Sequence, residues 1–167
     1  MTIKIETCTA SPACWIIAYG NPQRGDDGIG RFVGEKLRRH FGQDTNVGIC
    51  ILPQLDLALL EAVQGADHLI FVDARMGEGD KGLQWSLVEA ELNGWALGSH
   101  HLKPSVFLGL LQLLYECSPA AWLVSVPGNR FAFEEQLSTE ARRSAEQAAA
   151  QIVDWLWINR IANLGPK

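Results

Sequence analysis

The chain contains the run Cys14-Trp15-Ile16-Ile17-Ala18-Tyr19, followed at once by Gly20-Asn21-Pro22. A continuous apolar run that ends in a turn sequence is typical of a strand buried on both faces. From Gly28 to Phe41, apolar residues recur at helical spacing, which predicts an amphipathic helix directly after the strand. A buried strand that leads into a helix is the repeating unit of α/β proteins.

The same alternation continues along the rest of the chain. Further strands are predicted at 47–52, 68–74, 83–88 and 121–126, the last stopped by Pro127-Gly128. Further helices are predicted at 55–64, from Pro104 to Tyr115, and after Ser138, which suits an N-cap. We therefore expect an α/β three-layer sandwich, in which a mixed, mostly parallel five-stranded sheet lies between helices, as a single domain over residues 1–167.

Length and composition restrict the class of protein. A chain of 167 residues has about the length of a single domain. Hydrophobic residues make up 47% of it, which excludes an intrinsically disordered chain. The longest apolar run has seven residues, whereas a membrane helix needs about 20. The formal net charge of −5 argues against nucleic acid and anionic membranes as partners. The amino terminus lacks a secretory signal and the four cysteines form no C-x-x-C pair, so we expect a cytoplasmic protein with reduced thiols.

Several chemically active side chains follow the predicted strands. In parallel sheets the functional site lies outside the carboxyl ends of the strands. The first strand leads into a loop with Asp26 and Asp27, the third ends at Asp73, and the loop before the third helix contains His100 and His101. Two carboxylates and an imidazole at one edge of the sheet are suitable ligands for a borderline divalent metal.

Each of these residues also has a structural interpretation. Asp26 or Asp27 would serve as a helix cap, Asp73 would bind loop amides, and the histidine pair would be a surface feature. A nucleotide-binding loop is a further alternative, because glycines cluster after the first strand. Their spacing is not G-x-G-x-x-G, however, and two aspartates would face the phosphates. No serine lies in a G-x-S-x-G elbow, and Cys117 has no evident base.

The order of the motifs indicates one family. The segment 18–30, Ala-Tyr-Gly-Asn-Pro-Gln-Arg-Gly-Asp-Asp-Gly-Ile-Gly, resembles the opening motif of the [NiFe]-hydrogenase maturation proteases. That motif reads G-x-G-N, three variable residues and Gly-Asp-Asp/Glu-Gly. Later segments resemble the family in the same order, at 67–74, 99–104, 124–131 and 136–138. The chain departs from the pattern at Ala18, which replaces the first glycine, and at Pro53-Gln54-Leu55, where many members have Asp-Gly-Gly.

The resemblance implies residue roles. Matched position by position, the metal-contacting acids of the family fall on Asp27 and Asp73, and its histidine falls on His101, with His100 as neighbour. Asn21 and Asp26 would support these ligands or shape the loop.

The resemblance also implies an activity. Members of the family are endopeptidases that remove a short carboxy-terminal extension from the hydrogenase large-subunit precursor after nickel has been inserted. The expected partner is therefore that precursor, and the expected metal is the precursor's nickel, with no tightly held metal of the protein's own. A non-catalytic checkpoint protein that binds the nickel site without cleavage would use the same ligands and is the alternative.

Overall fold

The computed structural model describes residues 11–77, 82–92 and 101–163, and within them one five-stranded sheet is flanked by helices. The strands are β1 (Cys14–Tyr19), β2 (Val47–Leu52), β3 (His68–Met76), β4 (Gln84–Leu87) and β5 (Ala120–Gly128). The helices are α1 (Ile29–Phe41), α2 (Leu60–Val63), α3 (Pro104–Tyr115) and α4 (Thr139–Ile158). The strand order is β2-β1-β3-β5-β4, and β4 runs antiparallel to β5 while the other pairs are parallel. The predicted fold class is confirmed.

Two hydrophobic cores lie on opposite faces of the sheet because successive side chains of each strand alternate between the faces. On β3, Ile70 and Val72 contribute to the core that contains the apolar stripes of α1 and α4. Leu69 and Phe71 contribute to the other core, beneath α2 and α3. The carboxyl ends of β1, β2, β3 and β5 therefore share one edge, with helices on both sides of it.

Several element boundaries differ from the sequence prediction. The strand expected at 68–74 extends to Met76, so Asp73 lies inside β3 and not at its end. The helix expected at 55–64 begins as a 3-10 turn, Leu57–Leu59, and α2 itself has four residues. Pro127 does not end the last strand. Because β3 extends to Met76, β5 continues beside it to Gly128. Within the described residues, β4 pairs with β5 only as far as Ser125. Pro127 lies beyond this pairing, so its missing N–H removes no hydrogen bond between β5 and β4.

An aromatic cluster lies near the amino ends of β3 and β5, on the face covered by α4. It consists of His68, Trp85, Trp122 and Trp155. The ring centroids of Trp122 and Trp155 are 4.9 Å apart, and those of Trp85 and Trp155 are 6.3 Å apart. Trp85 Nε1 donates a hydrogen bond of 3.0 Å to Gln151 Oε1, which fixes one indole against α4. The cluster thus packs the end of the sheet opposite the carboxyl edge.

Two expectations from the sequence concern the cysteines and helices long enough to cross a membrane. Cys14, Cys50 and Cys117 are free, and Cys117 packs against the core beneath α3. No helix in the described part of the chain combines the length and the apolar character needed to cross a membrane.

Candidate functional site

The turn after β1 brings Asp27 back over the end of that strand. Gly20 has φ +146°, and a Cβ at this position would lie 2.0 Å from the Asp27 carbonyl oxygen, so only glycine fits. The Asn21 N–H donates a 3.1 Å hydrogen bond to Asp27 Oδ2, and Asn21 Oδ1 accepts one of 2.9 Å from the Gln23 N–H. The backbone around Asn21 therefore fixes the position of the Asp27 carboxylate.

Asp73 lies near the end of β3 beside Tyr19, the last residue of β1. The register pairs Ala18 with Val72, and Tyr19 and Asp73 follow on the same face of the sheet. The Tyr19 hydroxyl donates a hydrogen bond to the Asp73 carboxylate, as does the Ala74 N–H. Sequence analysis did not identify Tyr19 as a site residue. The sequence signal for Tyr19 was its position at the end of β1, in register with Asp73 on the neighbouring strand β3.

The environment of Asp73 makes its protonated form unusually stable. Burial raises the pKa of Asp73 to about 6, and the nearby negative charge of Asp27 acts in the same direction. The hydrogen bonds from Ala74 and Tyr19 oppose this effect. Burial and the charge of Asp73 raise the pKa of Tyr19, so its hydroxyl stays a donor. Two interacting carboxylates, one of them titrating near neutral pH, are suited to proton transfer as well as to metal binding.

Asp26 has a different environment from its neighbour. It is 0% exposed, and its carboxylate accepts four hydrogen bonds. The donors are the backbone N–H groups of Asn129, Arg130 and Ser138, at 2.7–2.9 Å, and the Ser138 hydroxyl at 2.9 Å. Burial works to raise the pKa of Asp26, but these donors outweigh it and lower the pKa. Asp26 therefore joins the β1–α1 loop to the start of α4, where Ser138 is the predicted N-cap.

The segment from residue 129 to residue 137, which we call loop 129–137, is held against the loop that carries Asp27. The Gly25 N–H donates to the Glu134 carbonyl at 2.6 Å, and the Asp26 N–H donates to the Arg130 carbonyl at 2.7 Å. The Glu134 N–H donates back to the Gln23 carbonyl at 3.1 Å. With the Asp26 carboxylate, these bonds fix the two loops together at the carboxyl edge of the sheet.

A shallow, open cleft lies between the start of α1 and the start of α4. Pro22, Phe32 and Leu137 supply its apolar lining, and its charged lining residues are Arg31, Glu35, Glu135 and Arg142. The Arg142 guanidinium lies over the Phe32 ring, 5.2 Å from its centroid. The cleft adjoins the Asp27 loop through Gly25 and Gly28.

The structure brings together two of the three residues predicted to contact metal. Asp27 lies close enough to Asp73 for its negative charge to raise the Asp73 pKa, whereas His101 is exposed just ahead of α3. Across residues 11–77, 82–92 and 101–163, no group of three His, Cys, Asp or Glu side chains is arranged to hold a metal ion. His100, the predicted neighbour of that histidine, lies outside the described residues.

Solved structures with the same fold include several hydrogenase maturation proteases. The maturation protease HycI from Thermococcus kodakarensis is 22% identical with a TM-score of 0.67, and the alignment covers 87% of this chain and 92% of that one. The hydrogenase maturating endopeptidase HybD from Escherichia coli is 20% identical with a TM-score of 0.68, covering 90% and 97% of the two chains. The chain therefore has the fold of the hydrogenase maturation proteases.

Comparison of sequences gives a more distant result. No protein-family model matches the chain. A protein of Methanocaldococcus jannaschii that carries the provisional name of hydrogenase maturation protease is 24% identical over 106 residues. That match spans 58% of this chain and 62% of the relative's length, so it covers less than two thirds of the curated protein.

Proposed function

We propose that this protein is an endopeptidase that removes the carboxy-terminal extension from a nickel-loaded [NiFe]-hydrogenase large-subunit precursor. The observation that carries the proposal is the Asp27–Asp73 pair. Its members lie at the carboxyl edge of the sheet, one of them in a loop whose sequence resembles the opening motif of the maturation proteases. The fold shared with HycI and HybD supports the same conclusion.

In this proposal the two carboxylates bind the nickel that the precursor already carries. Carboxylate oxygens are acceptable ligands for a borderline divalent ion, and the loop at Asn21 holds one of them in place. His101, exposed ahead of α3, is the third contact and would join the metal when the precursor docks. Binding the nickel positions the adjoining peptide next to Asp27 and Asp73.

Hydrolysis then requires a base, an electrophile and a proton for the leaving group. Water adds to the scissile carbonyl carbon, and the C–N bond breaks. The proton lost by the water passes to a carboxylate and then to the departing amine. A carboxylate oxygen of Asp27 or Asp73 that does not contact the nickel is suited to accept and return that proton. The substrate's nickel would supply the electrophilic assistance, either to the carbonyl or to the water.

The donor set also leads us to propose that the protein holds no tightly bound metal of its own. Asp27, Asp73 and His101 supply two carboxylates and one imidazole but no thiolate, and they leave coordination positions open for the substrate's metal. Elemental analysis after ordinary dialysis should find far less than one equivalent of nickel or zinc. A stoichiometric metal that survives dialysis would indicate an autonomous metalloprotease instead.

The experiment that tests the function compares nickel-loaded with nickel-free precursor. Each is incubated with the protein, the products are measured by intact mass, and casein serves as the control for general proteolysis. Loss of the extension from the nickel-loaded form alone is the expected result. Cleavage of both forms, or degradation of casein, would contradict the nickel-directed mechanism. Binding without any cleavage would support the non-catalytic checkpoint function.

A further inference from the structure

Two strongly exposed apolar side chains lie near the carboxyl edge of the sheet. Phe133, in loop 129–137, is 87% exposed, and Met76, the last residue of β3, is 77% exposed. Single exposed apolar residues are common on protein surfaces, so exposure alone indicates nothing. Two further features distinguish Phe133 and Met76. Hydrogen bonds fix the backbone beside each of them, and each belongs to or adjoins loop 129–137.

Phe133 is presented by a fixed backbone. Its neighbour Glu134 makes backbone hydrogen bonds in both directions with the loop before Asp27, at Gly25 and Gln23. At the start of the loop, the buried Asp26 carboxylate binds the N–H groups of Asn129 and Arg130. Because the loop backbone is already ordered, only the side chain loses conformational freedom when a partner covers it, which lowers the cost of binding.

Met76 borders the same loop from the strand side. It pairs with Gly128, the residue before loop 129–137, and the Gly77 N–H donates a 3.0 Å hydrogen bond to the Gly128 carbonyl. Strand alternation places Met76 with Ala74 on the face covered by α1 and α4, the face on which loop 129–137 leads into α4. Met76 therefore borders the start of loop 129–137, the loop that carries Phe133.

The cleft between α1 and α4 continues this surface. Its apolar lining contains Phe32 and Leu137, and Leu137 belongs to loop 129–137. Its charged lining residues carry both signs, because two arginines and two glutamates contribute to it. A surface with balanced charges and apolar side chains favours recognition through apolar contact over electrostatic attraction.

We propose that Met76, Phe133 and the lining formed by Phe32 and Leu137 are the surface on which the nickel-loaded precursor docks beside its scissile bond. This inference rests on the proposed function. The occupant follows from continuity, because loop 129–137 is hydrogen-bonded to residues 23–26 and so adjoins the segment that carries Asp27, which the precursor's peptide would reach. The precursor would cover the two exposed side chains with an apolar surface of its own.

The test measures precursor processing by Phe133→Ala, Met76→Ala and the double variant. Both residues are exposed, so the variants should fold normally. The matched control is Ile158→Ala, since Ile158 is 79% exposed at the far end of α4. We expect KM for the nickel-loaded precursor to rise about tenfold or more in the double variant, as when an interface anchor is lost, with kcat within about twofold of the wild type. Unchanged KM in the double variant would overturn the inference.

A binding measurement separates this inference from the proposed function. The nickel-free precursor, which the proposed function leaves uncleaved, is titrated onto the protein with and without the Phe133→Ala change. Weaker binding only with Phe133→Ala supports the docking surface, even if the wild-type protein proves unable to cleave. Equal affinity with and without Phe133→Ala, or no binding in either case, overturns it. Cleavage by the wild type together with equal affinity would leave the proposed function intact and remove only the docking surface.

Discussion

Asp26 and Asp27 are neighbours in sequence with opposite environments. Four donors satisfy the Asp26 carboxylate inside the protein, whereas Asp27 accepts one hydrogen bond from the Asn21 N–H and lies near Asp73. A carboxylate that is fully hydrogen-bonded stabilises the fold, and one placed beside a second carboxylate is available for chemistry. The same residue type therefore has two different environments one position apart.

Substitution of the paired carboxylates should separate activity from stability. Asp27→Asn and Asp73→Asn should each lower processing of the nickel-loaded precursor by about a hundredfold or more, the usual scale for an acid–base group. Asp73→Asn should also stabilise the fold by about 1–2 kcal/mol, because it removes a charge that burial and Asp27 disfavour. Processing rates and urea unfolding measure the two effects. Wild-type rates in folded variants would show that the site is assigned wrongly.

The raised pKa of Asp73 predicts a pH dependence with opposite signs for activity and stability. If the ionised carboxylate is required, kcat/KM should fall about tenfold per pH unit below about 6. The folded-state pKa lies above the ordinary value of 3.8, so the folded protein binds the proton more tightly than the unfolded chain. The contribution of Asp73 to stability therefore increases as pH falls from above 6 toward 4. A pH–rate profile measured alongside unfolding at each pH checks both signs.

Tyr19→Phe is the control for this assignment. It removes a hydrogen bond that lowers the pKa of Asp73, so the acidic limb of the pH–rate profile should move to higher pH. Tyr115→Phe, at the end of α3, should leave the limb in place. A limb near pH 6 that does not respond to Tyr19→Phe would have to belong to another group.

At the scale of elements, Asp26 joins the β1–α1 loop to the segment 129–138, more than 100 residues further along the chain. Asp26→Asn should lower the free energy of unfolding by about 2–4 kcal/mol, because an amide cannot accept four hydrogen bonds and its NH₂ group would face buried donors. Asp56→Asn is the matched control, since Asp56 is exposed and caps a single N–H, that of Ala58. Urea unfolding of both variants measures how much unfolding free energy each substitution removes. A similar, small decrease in both variants would contradict the role given to Asp26.

The hydrogen bonds to Asp26 also determine how the stability of this junction depends on pH in the acidic range. Hydrogen bonds hold the pKa of folded Asp26 below its ordinary value of 3.8. Its stabilising contribution is therefore complete above that value and is lost as pH falls through the lower, folded-state pKa. Asp26→Asn should remove this part of the acid-induced loss of stability.

Local patterns predicted the elements well wherever burial was continuous. The boundaries of β1 and β2 agree with their apolar runs. The extension of β5 through Pro127 was not predictable, because it depends on the length of β3, a neighbour more than 50 residues away in sequence. The 3-10 turn that precedes α2 was likewise not predictable from apolar spacing, although the Asp56 side chain caps it at the Ala58 N–H.

At the scale of the whole molecule, sequence motifs predicted the carboxyl edge and its two acids. The pairing of Tyr19 with Asp73 was missed because it is a property of strand register, which no local motif encodes. The four contacts of Asp26 were missed because their donors lie more than 100 residues further along the chain. The metal contacts assigned to Asp27, Asp73 and His101 all stay predictions.

The aromatic cluster gives the protein an optical signal that is independent of its chemistry. Indoles held 4.9–6.3 Å apart couple their electronic transitions, so the folded protein should show a strong near-ultraviolet circular dichroism band that disappears on unfolding. Trp155 contacts His68, Trp85 and Trp122, so Trp155→Phe should remove most of the band. Because the cluster lies at the end of the sheet away from Asp27, Asp27→Asn and Phe133→Ala should retain the wild-type spectrum. The band would therefore report intact packing in every site variant before any activity is measured.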